Sequence, residues 1–418
     1  MLSRISSTYK EYPLRFWVLM VATFIDRIGG TLIYPFFALY ITDKFNVGMT
    51  EAGILFAIFS VSGFVGSMIG GALTDRFGRR AMVLFGLVFS ALSSVSMGLV
   101  SNLSAFYLLA VFVGLLSDIG GPARQAMVAD LLLKEKLGEG FGVLRVAGNL
   151  AWILGPMIGG LLAARSYMLL FVLDAITSLI TAVIVFRLVR ETRPEASPDD
   201  SQETMIQTFA GYRVVLADRL YMAFLLVSML MLIVYQQMYN TLSVYLRDVH
   251  GVAPQAYGML LSLDAGVVVL FQFWVARKIR PYAPMLMMMV GTLFYLIGFT
   301  MYGFVASYAL FVVAILLIII GEMIVMPVGQ ALVARLAPGD MRGRYMAIFG
   351  LSWTIPAAVG PWAAGLVLDN YDPNLVWYAA GIISAVAAAG FYILHLRGGA
   401  RLAPEGSVDG AQGEPLLP

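Results

Sequence analysis

Twelve apolar runs, each long enough to cross a bilayer, recur along this sequence. They lie at roughly 14–42, 50–74, 81–100, 104–131, 140–164, 167–189, 218–246, 255–276, 283–305, 307–334, 344–368 and 374–396. A helix rises about 1.5 Å per residue, so about 20 apolar residues match the hydrocarbon thickness. Inside hydrocarbon the backbone satisfies its own polar groups only as a helix or a closed barrel. The runs are continuous rather than alternating, and longer than the roughly 10-residue segments of a barrel. The expected fold is therefore an all-α integral membrane protein with twelve transmembrane helices. Composition agrees, with 60% apolar residues and 12% charged, about half the charged share of a soluble domain. The first run extends from Phe16 to about Ile41, too long for a signal peptide's apolar region, and reads as a first span.

The distribution of Lys and Arg sets the expected orientation. With the N-terminus inside, 21 of the 27 basic residues fall on cytoplasmic loops and span ends. Only Lys44, Arg165 and Arg247 fall outside, and Arg27, Arg124 and Arg145 lie deeper within spans. This asymmetry follows the positive-inside rule and predicts two cytoplasmic termini in a multi-pass plasma membrane protein. The longest polar stretch between spans, Glu191 to Gln207, divides them six and six and reads as a linker. The expected organisation is a six-helix bundle over 1–190, a cytoplasmic linker over 191–217, a second bundle over 218–396 and a disordered tail over 397–418.

Shifted by 205 residues, the sequence matches itself. Pro122, Gln125, Ala126, Val128, Ala129, Leu131, Gly138, Gly155, Pro156, Gly160 and Leu161 all meet identical residues, 11 identities in 40 positions without a gap. Tyr34, Tyr40, Asp43, Val47 and Gly53 meet Tyr239, Tyr245, Asp248, Val252 and Gly258 at the same offset. A constant offset that aligns Pro, Gln, Tyr and Asp speaks against coincidence of composition. It predicts two pseudo-symmetric six-helix bundles, an architecture that places a substrate site between halves near the bilayer midplane.

After the second run comes Gly71-Ala72-Leu73-Thr74-Asp75-Arg76-Phe77-Gly78-Arg79-Arg80. Physically, Gly71 is expected to let helices approach closely and Gly78 to permit a tight turn. Asp75 is suited to cap a helix or accept an ion pair, and Arg79 to reach a carboxylate such as Asp130 at the end of span four. The stretch resembles the cytoplasmic loop signature G-x-L-x-D-R-x-G-R-R of the major facilitator superfamily. The resemblance implies that Gly71, Asp75, Arg76, Gly78, Arg79 and Asp130 form a conformational latch. Gly155-Pro156-Met157-Ile158-Gly159-Gly160 in span five is similar to the G-P-x-x-G-G end of that family's antiporter motif, and Gly155, Pro156, Gly159 and Gly160 are expected to bend and pack the helix. Gly360-Pro361 repeats the pattern in span eleven. Over the whole chain the likeness is to twelve-span bacterial drug:proton antiporters, which implies a monomer. Span four departs from their pattern, because Asp118 and Pro122 precede Arg124.

Ionisable groups inside spans are costly and are functional candidates by default. Glu322 sits mid-span with no cation adjacent in sequence, so an apolar setting is expected to raise its pKa and let it carry a proton. Asp26 and Asp118 are the further proton-coupling candidates, although Arg27, Arg124 or Arg145 would equally hold Asp26 in a structural ion pair. A substrate cavity is expected from Arg27, Tyr34, Arg124, Asn149, Trp152, Tyr235, Gln236, Tyr239, Asn240 and Trp353. Without cysteine there are no thiolate metal sites. No G-x-x-x-x-G-K-S/T loop is present, which disfavours ATP-driven transport. No enzymatic activity, cofactor, metal or nucleic-acid partner is expected. The expected partners are a small-molecule substrate, protons and membrane lipids. The leading expectation is export of drug-like or amphiphilic molecules in exchange for protons. A metabolite or lipid carrier, and a non-transporting receptor or scaffold, stand as alternatives.

Overall fold

The computed structural model describes residues 11–117, 119–133, 136–192, 212–338 and 341–397, the side chains of residues 72 and 75 excepted. These residues hold twelve helical spans of membrane-crossing length and apolarity. In chain order they are Leu14–Phe45, Met49–Gly71, Arg79–Leu99, Leu103–Asp130, Leu137–Ala163, Tyr167–Leu188, Arg219–His250, Pro254–Ile279, Pro284–Met301, Tyr308–Leu336, Arg342–Asn370 and Leu375–Arg397, numbered here as spans 1 to 12. Their ends fall within a few residues of the apolar runs, because the same hydrocarbon thickness governs both.

Three spans are broken, which apolarity alone does not reveal. Span 1 is helical over Leu14–Ile33, tightens into a 3-10 turn at Tyr34–Phe36 and resumes as Phe37–Phe45. Pro35 explains the turn, since it lacks an N–H and its ring crowds the preceding turn. Span 7 is broken in the same register, between Arg219–Gln236 and Thr241–His250. Span 4 divides into Leu103–Ser117 and Gly121–Asp130, with Pro122 at the start of the second helix, where its missing N–H costs nothing. The repeat also shows in the caps. Asn46 and Gly251, 205 residues apart, end their helices with left-handed backbones at φ 51° and 63°, the geometry that Gly and Asn adopt most readily.

The chain forms two compact units. One comprises Met1–Asp200 together with Tyr239–Ala265, and the other Ser201–Met238 together with Gly266–Pro418. The second helical segment of span 7 and the first part of span 8 thus belong to the first unit. Most of the expected linker and nearly all of the expected disordered tail lie outside the described residues.

In the first unit, Phe16, Leu87, Met127 and Val185 join spans 1, 3, 4 and 6 in one apolar core. Spans 2 and 4 touch backbone to backbone at Gly66 and Gly70. A Cβ on Gly66 would lie 2.7 Å from the carbonyl carbon of Leu115, and one on Gly70 would lie 2.7 Å from the Ile119 oxygen. This corrects the expectation for Gly71, where a Cβ would meet nothing described within 4 Å. Gly66 and Gly70 are four apart and share a helix face, whereas Gly71 is turned about 100° away.

In the second unit, fully buried Trp377 of span 12 stacks on Phe299 at 6.5 Å and meets Tyr302 at 5.2 Å. Asp218 caps span 7 by accepting from the Tyr221 amide at 3.2 Å. The Tyr345 hydroxyl donates to the same carboxylate at 3.0 Å, and Tyr221 Oη donates to the Tyr345 carbonyl at 2.6 Å. The starts of spans 7 and 11 are thereby tied together.

Candidate functional site

The first unit contains a polar network inside the bilayer. Arg124 Nη2 lies 2.8 Å from Asp26 Oδ2, and the two side chains are only 17% and 16% exposed. Ser178 Oγ of span 6 lies 3.4 Å from Asp26 Oδ1 and 3.4 Å from Ser90 Oγ of span 3. One turn earlier, buried Asp174 accepts from Ser94. Four spans therefore converge on two carboxylates. Gly29 makes this possible, because a Cβ there would lie 3.1 Å from Asp174 Cα. Of the three arginines considered for Asp26, Arg124 is the partner in the structure. Arg27 and Arg145 are exposed, and Asp118 lies outside the described residues.

An aromatic cluster occupies the breaks of spans 1 and 7. Tyr34 and Tyr239, partners in the repeat, have ring centroids 6.3 Å apart. Trp152 of span 5 stands edge-on to both, at 6.1 and 5.3 Å. Asn240 is buried and Asn149 half-buried. The glycines of span 5 draw it against span 1 and the start of span 8. The Gly155 position has no room for a side chain beside Thr31, and Thr31 Oγ1 donates to the Ala151 carbonyl at 3.0 Å. A Cβ on Gly159 would meet the Leu32 oxygen at 2.8 Å, and one on Gly160 the Pro254 oxygen at 2.8 Å. Span 5 remains helical through Pro156.

The loop after span 2 turns at Gly78, whose φ of 92° is a conformation that favours glycine. Arg79 Nε sits 3.0 Å from Asp130 Oδ2. Arg76 is exposed, with its guanidinium 5.5 Å from the Phe77 ring. The Asp75 side chain is outside what the structure describes. Two residues just after span 6 complete the cluster. Glu191 accepts from the backbone amides of Arg79 and Arg80 at 3.0 and 3.1 Å, capping span 3. Thr192 Oγ1 donates to Asp130 at 3.0 Å.

The second unit holds the remaining candidates. Tyr235 meets Tyr295 at 5.7 Å and Trp353 at 6.2 Å, and Gln236 is buried beside it. Gly360 in span 11 packs on span 7, where a Cβ would lie 2.8 Å from Gln237 Nε2. It thereby repeats the contact of Gly155 with span 1. Glu322 is half-buried. It follows Gly321, where spans 9 and 10 cross so closely that a Cβ would lie 2.6 Å from the Gly291 oxygen. Five residues on, Pro327 leaves the Met323 carbonyl without its helical donor. Gln272 Nε2 of span 8 donates to that carbonyl at 3.1 Å.

The sequence pattern of the Major Facilitator Superfamily matches this chain over residues 19–323 and again over 282–416. The chain belongs to the major facilitator superfamily. It is 22% identical over 379 residues to a Na(+), Li(+), K(+)/H(+) antiporter of Planococcus maritimus, covering 84% of this chain and 89% of that protein. It is 23% identical over 386 residues to the multidrug resistance protein MdtH of Shigella flexneri, covering 88% of this chain and 90% of that protein. A crystal structure of a mutant of the nucleoside transporter NupG has the same fold, with a TM-score of 0.80 at 14% identity. That alignment covers 91% of this chain and 99% of the other. The protein is thus a multi-pass membrane transporter of this superfamily.

Sequence reasoning did not find several groups that complete these clusters. Asp174 falls inside the sixth apolar run, but its link to Ser94 depends on which helix faces meet. Glu191 and Thr192 read only as the polar start of a linker. Gly66 and Gly70 had a readable signal, the G-x-x-x-G spacing of close-packed membrane helices.

Proposed function

We propose that this superfamily member is a secondary exporter of drug-like or amphiphilic small molecules, driven by protons entering in exchange. The observation that carries the reading is the set of carboxylates held within spans, among them Asp26, Asp174 and Asp264 in one unit and Glu322 in the other. Such groups are retained in membranes chiefly where they serve ion or proton movement. The names of the antiporter and of the multidrug resistance protein among the relatives support it. In this reading Glu322 binds the coupling proton, with Asp26 and Asp118 assisting. Tyr34, Trp152, Tyr239 and Asn240, with Tyr235, Gln236 and Trp353, supply aromatic and amide surface for organic substrates. The loop cluster of Arg79, Asp130 and Glu191 works as the latch of an alternating-access cycle. The concentration of Lys and Arg on one side supports cytoplasmic termini in the plasma membrane.

The test is Glu322→Gln in inverted vesicles given an imposed pH gradient, with a panel of cationic and neutral amphiphiles and proton flux recorded alongside. The expected result is normal expression with proton-driven transport lost. Unchanged active transport would remove Glu322 from the mechanism. Substrate movement without proton movement would favour an uncoupled carrier. The cation/proton antiporter among the relatives favours one second reading, exchange of monovalent cations for protons. The same vesicles test it by sodium or potassium addition in place of the amphiphile.

A further inference from the structure

The second unit contains a cavity of about 330 Å³ where the end of span 8, the start of span 9 and the end of span 10 come together. Its size falls within the range of about 300–1,000 Å³ typical of small-molecule sites. Apart from Pro327, it shares no residue with the clusters described above. Its lining carries two arginines among mostly apolar residues. Arg280 and Arg335 stand at one end with Tyr282, while Ala276, Pro327 and Ala331 make apolar walls. Both arginines lie at the end of an apolar helical stripe. On span 10, Pro327, Ala331 and Arg335 are spaced by four, so they share one face. Phe273 and Ala276 of span 8 and Arg280, the first residue past its end, are spaced by three and four, and Phe273 is 87% exposed with its neighbour Trp274 at 66%. Span 9 begins at Pro284, another lining residue, so the positive end of its helix dipole lies at the cavity as well.

A lining that is cationic at the loop end, and apolar along exposed helix faces leading into the span, matches one class of occupant. We propose that this cavity binds an anionic phospholipid, with its phosphate on Arg280 and Arg335 and an acyl chain along the Phe273 and Ala331 faces. Arginine suits the role because its planar fork takes two phosphate oxygens at once. The leaflet follows from the orientation proposed above and is the cytoplasmic one, where anionic lipids meet basic pockets between helices. The binding itself requires neither that orientation nor any transport activity.

The test uses the full chain purified in detergent, titrated with phosphatidylglycerol or with phosphatidylcholine of the same acyl chains. Bound lipid is counted by native mass spectrometry. One phosphatidylglycerol should bind more tightly than the rest, and more tightly than phosphatidylcholine. Each arginine near a membrane surface is worth roughly 5-fold, so the R280Q/R335Q pair should weaken that binding about 30-fold. Ala331→Phe fills the apolar wall without changing charge and should weaken it too, which keeps the test available if the double variant fails to fold. R277Q/K278Q removes the same charge from span 8 outside the cavity and should leave the affinity unchanged. Equal binding of the two lipids would overturn the proposal. So would an equal loss in R277Q/K278Q, which would mean diffuse surface charge. Displacement of phosphatidylglycerol by inorganic phosphate would overturn it as well, by making the site one for a free anion.

Discussion

Asp26→Asn removes the charge that Arg124 faces at 2.8 Å while keeping the side-chain shape. Two unit charges at that distance attract by about 6 kcal/mol at an effective dielectric of about 20. Desolvation of both groups cancels much of this, so the pair adds little net stability over a neutral replacement. Removing one partner is different, because it leaves the other charge uncompensated, typically at a cost of about 3–5 kcal/mol. Here the side chains retain 17% and 16% exposure, and the loss expected for Asp26→Asn is about 2–3 kcal/mol. Arg124→Gln should cost as much or more, since it leaves Asp26 in a network with a second acid, Asp174. The double variant D26N/R124Q should return to within about 1 kcal/mol of the parent, because neither charge is then stranded. The measurement is a double-mutant cycle on purified protein in detergent, followed by thermal unfolding and by titration with a denaturing detergent. Single effects that add within about 0.5 kcal/mol would refute the coupling and with it the reading of this network. Transport in vesicles then separates two roles. The proposed function expects the double variant to regain stability but not proton-driven transport. Recovery of both would make the pair purely architectural.

Three further outcomes follow from single contacts. Gly78→Ala places a Cβ at φ 92°, 2.6 Å from Glu191 Oε2. It should cost about 1–3 kcal/mol in thermal unfolding, and Glu191→Gln, which keeps the backbone relaxed, should cost less. Gln272→Leu removes the donor that reaches the Met323 carbonyl across from Pro327. It should lower stability by about 1–3 kcal/mol, while Gln272→Asn, too short to reach, should behave like Leu. Tyr12 donates to Glu139 Oε2 at 2.8 Å, and burial together with that carboxylate pushes its phenol up from 10.0 to about 12. A raised pKa stabilises below the unfolded value, so this contribution should be whole below pH 10 and lost as pH rises towards about 12. Tyr12→Phe should cost about 1 kcal/mol at neutral pH and flatten that alkaline limb of the stability profile.

What the sequence made readable and what it concealed divide along a physical line. The spans were readable because hydrocarbon admits no other backbone solution, and the repeat because a constant offset survives at helix breaks and caps. Tyr34 with Tyr239, Asn46 with Gly251, and Gly155 with Gly360 occupy matching places in the structure. The proximity of Arg79 and Asp130 was readable from the motif, since a loop and the end of a neighbouring span share one membrane face. Side-chain partners across helices were not readable, because span-length runs are apolar all round and give no face. The partner of Asp26 stayed open among three arginines until packing selected Arg124. Ser94, Ser90 and Ser178 carry no sequence signal of the network they form, and Gln272 gives none of the carbonyl it satisfies. The consensus motif drew attention to Gly71, whereas the contact lies at Gly66 and Gly70, one helical face away. The shared positions set backbone geometry, which must be alike in both halves for them to fold alike. The charges are not shared, since Asp26 corresponds to Met231, Arg124 to Gly329 and Glu322 to Ser117. A coupling group gains nothing from a copy in the other half. Chemistry confined to one copy of a doubled scaffold is therefore the pattern expected where two matching bundles carry unequal duties.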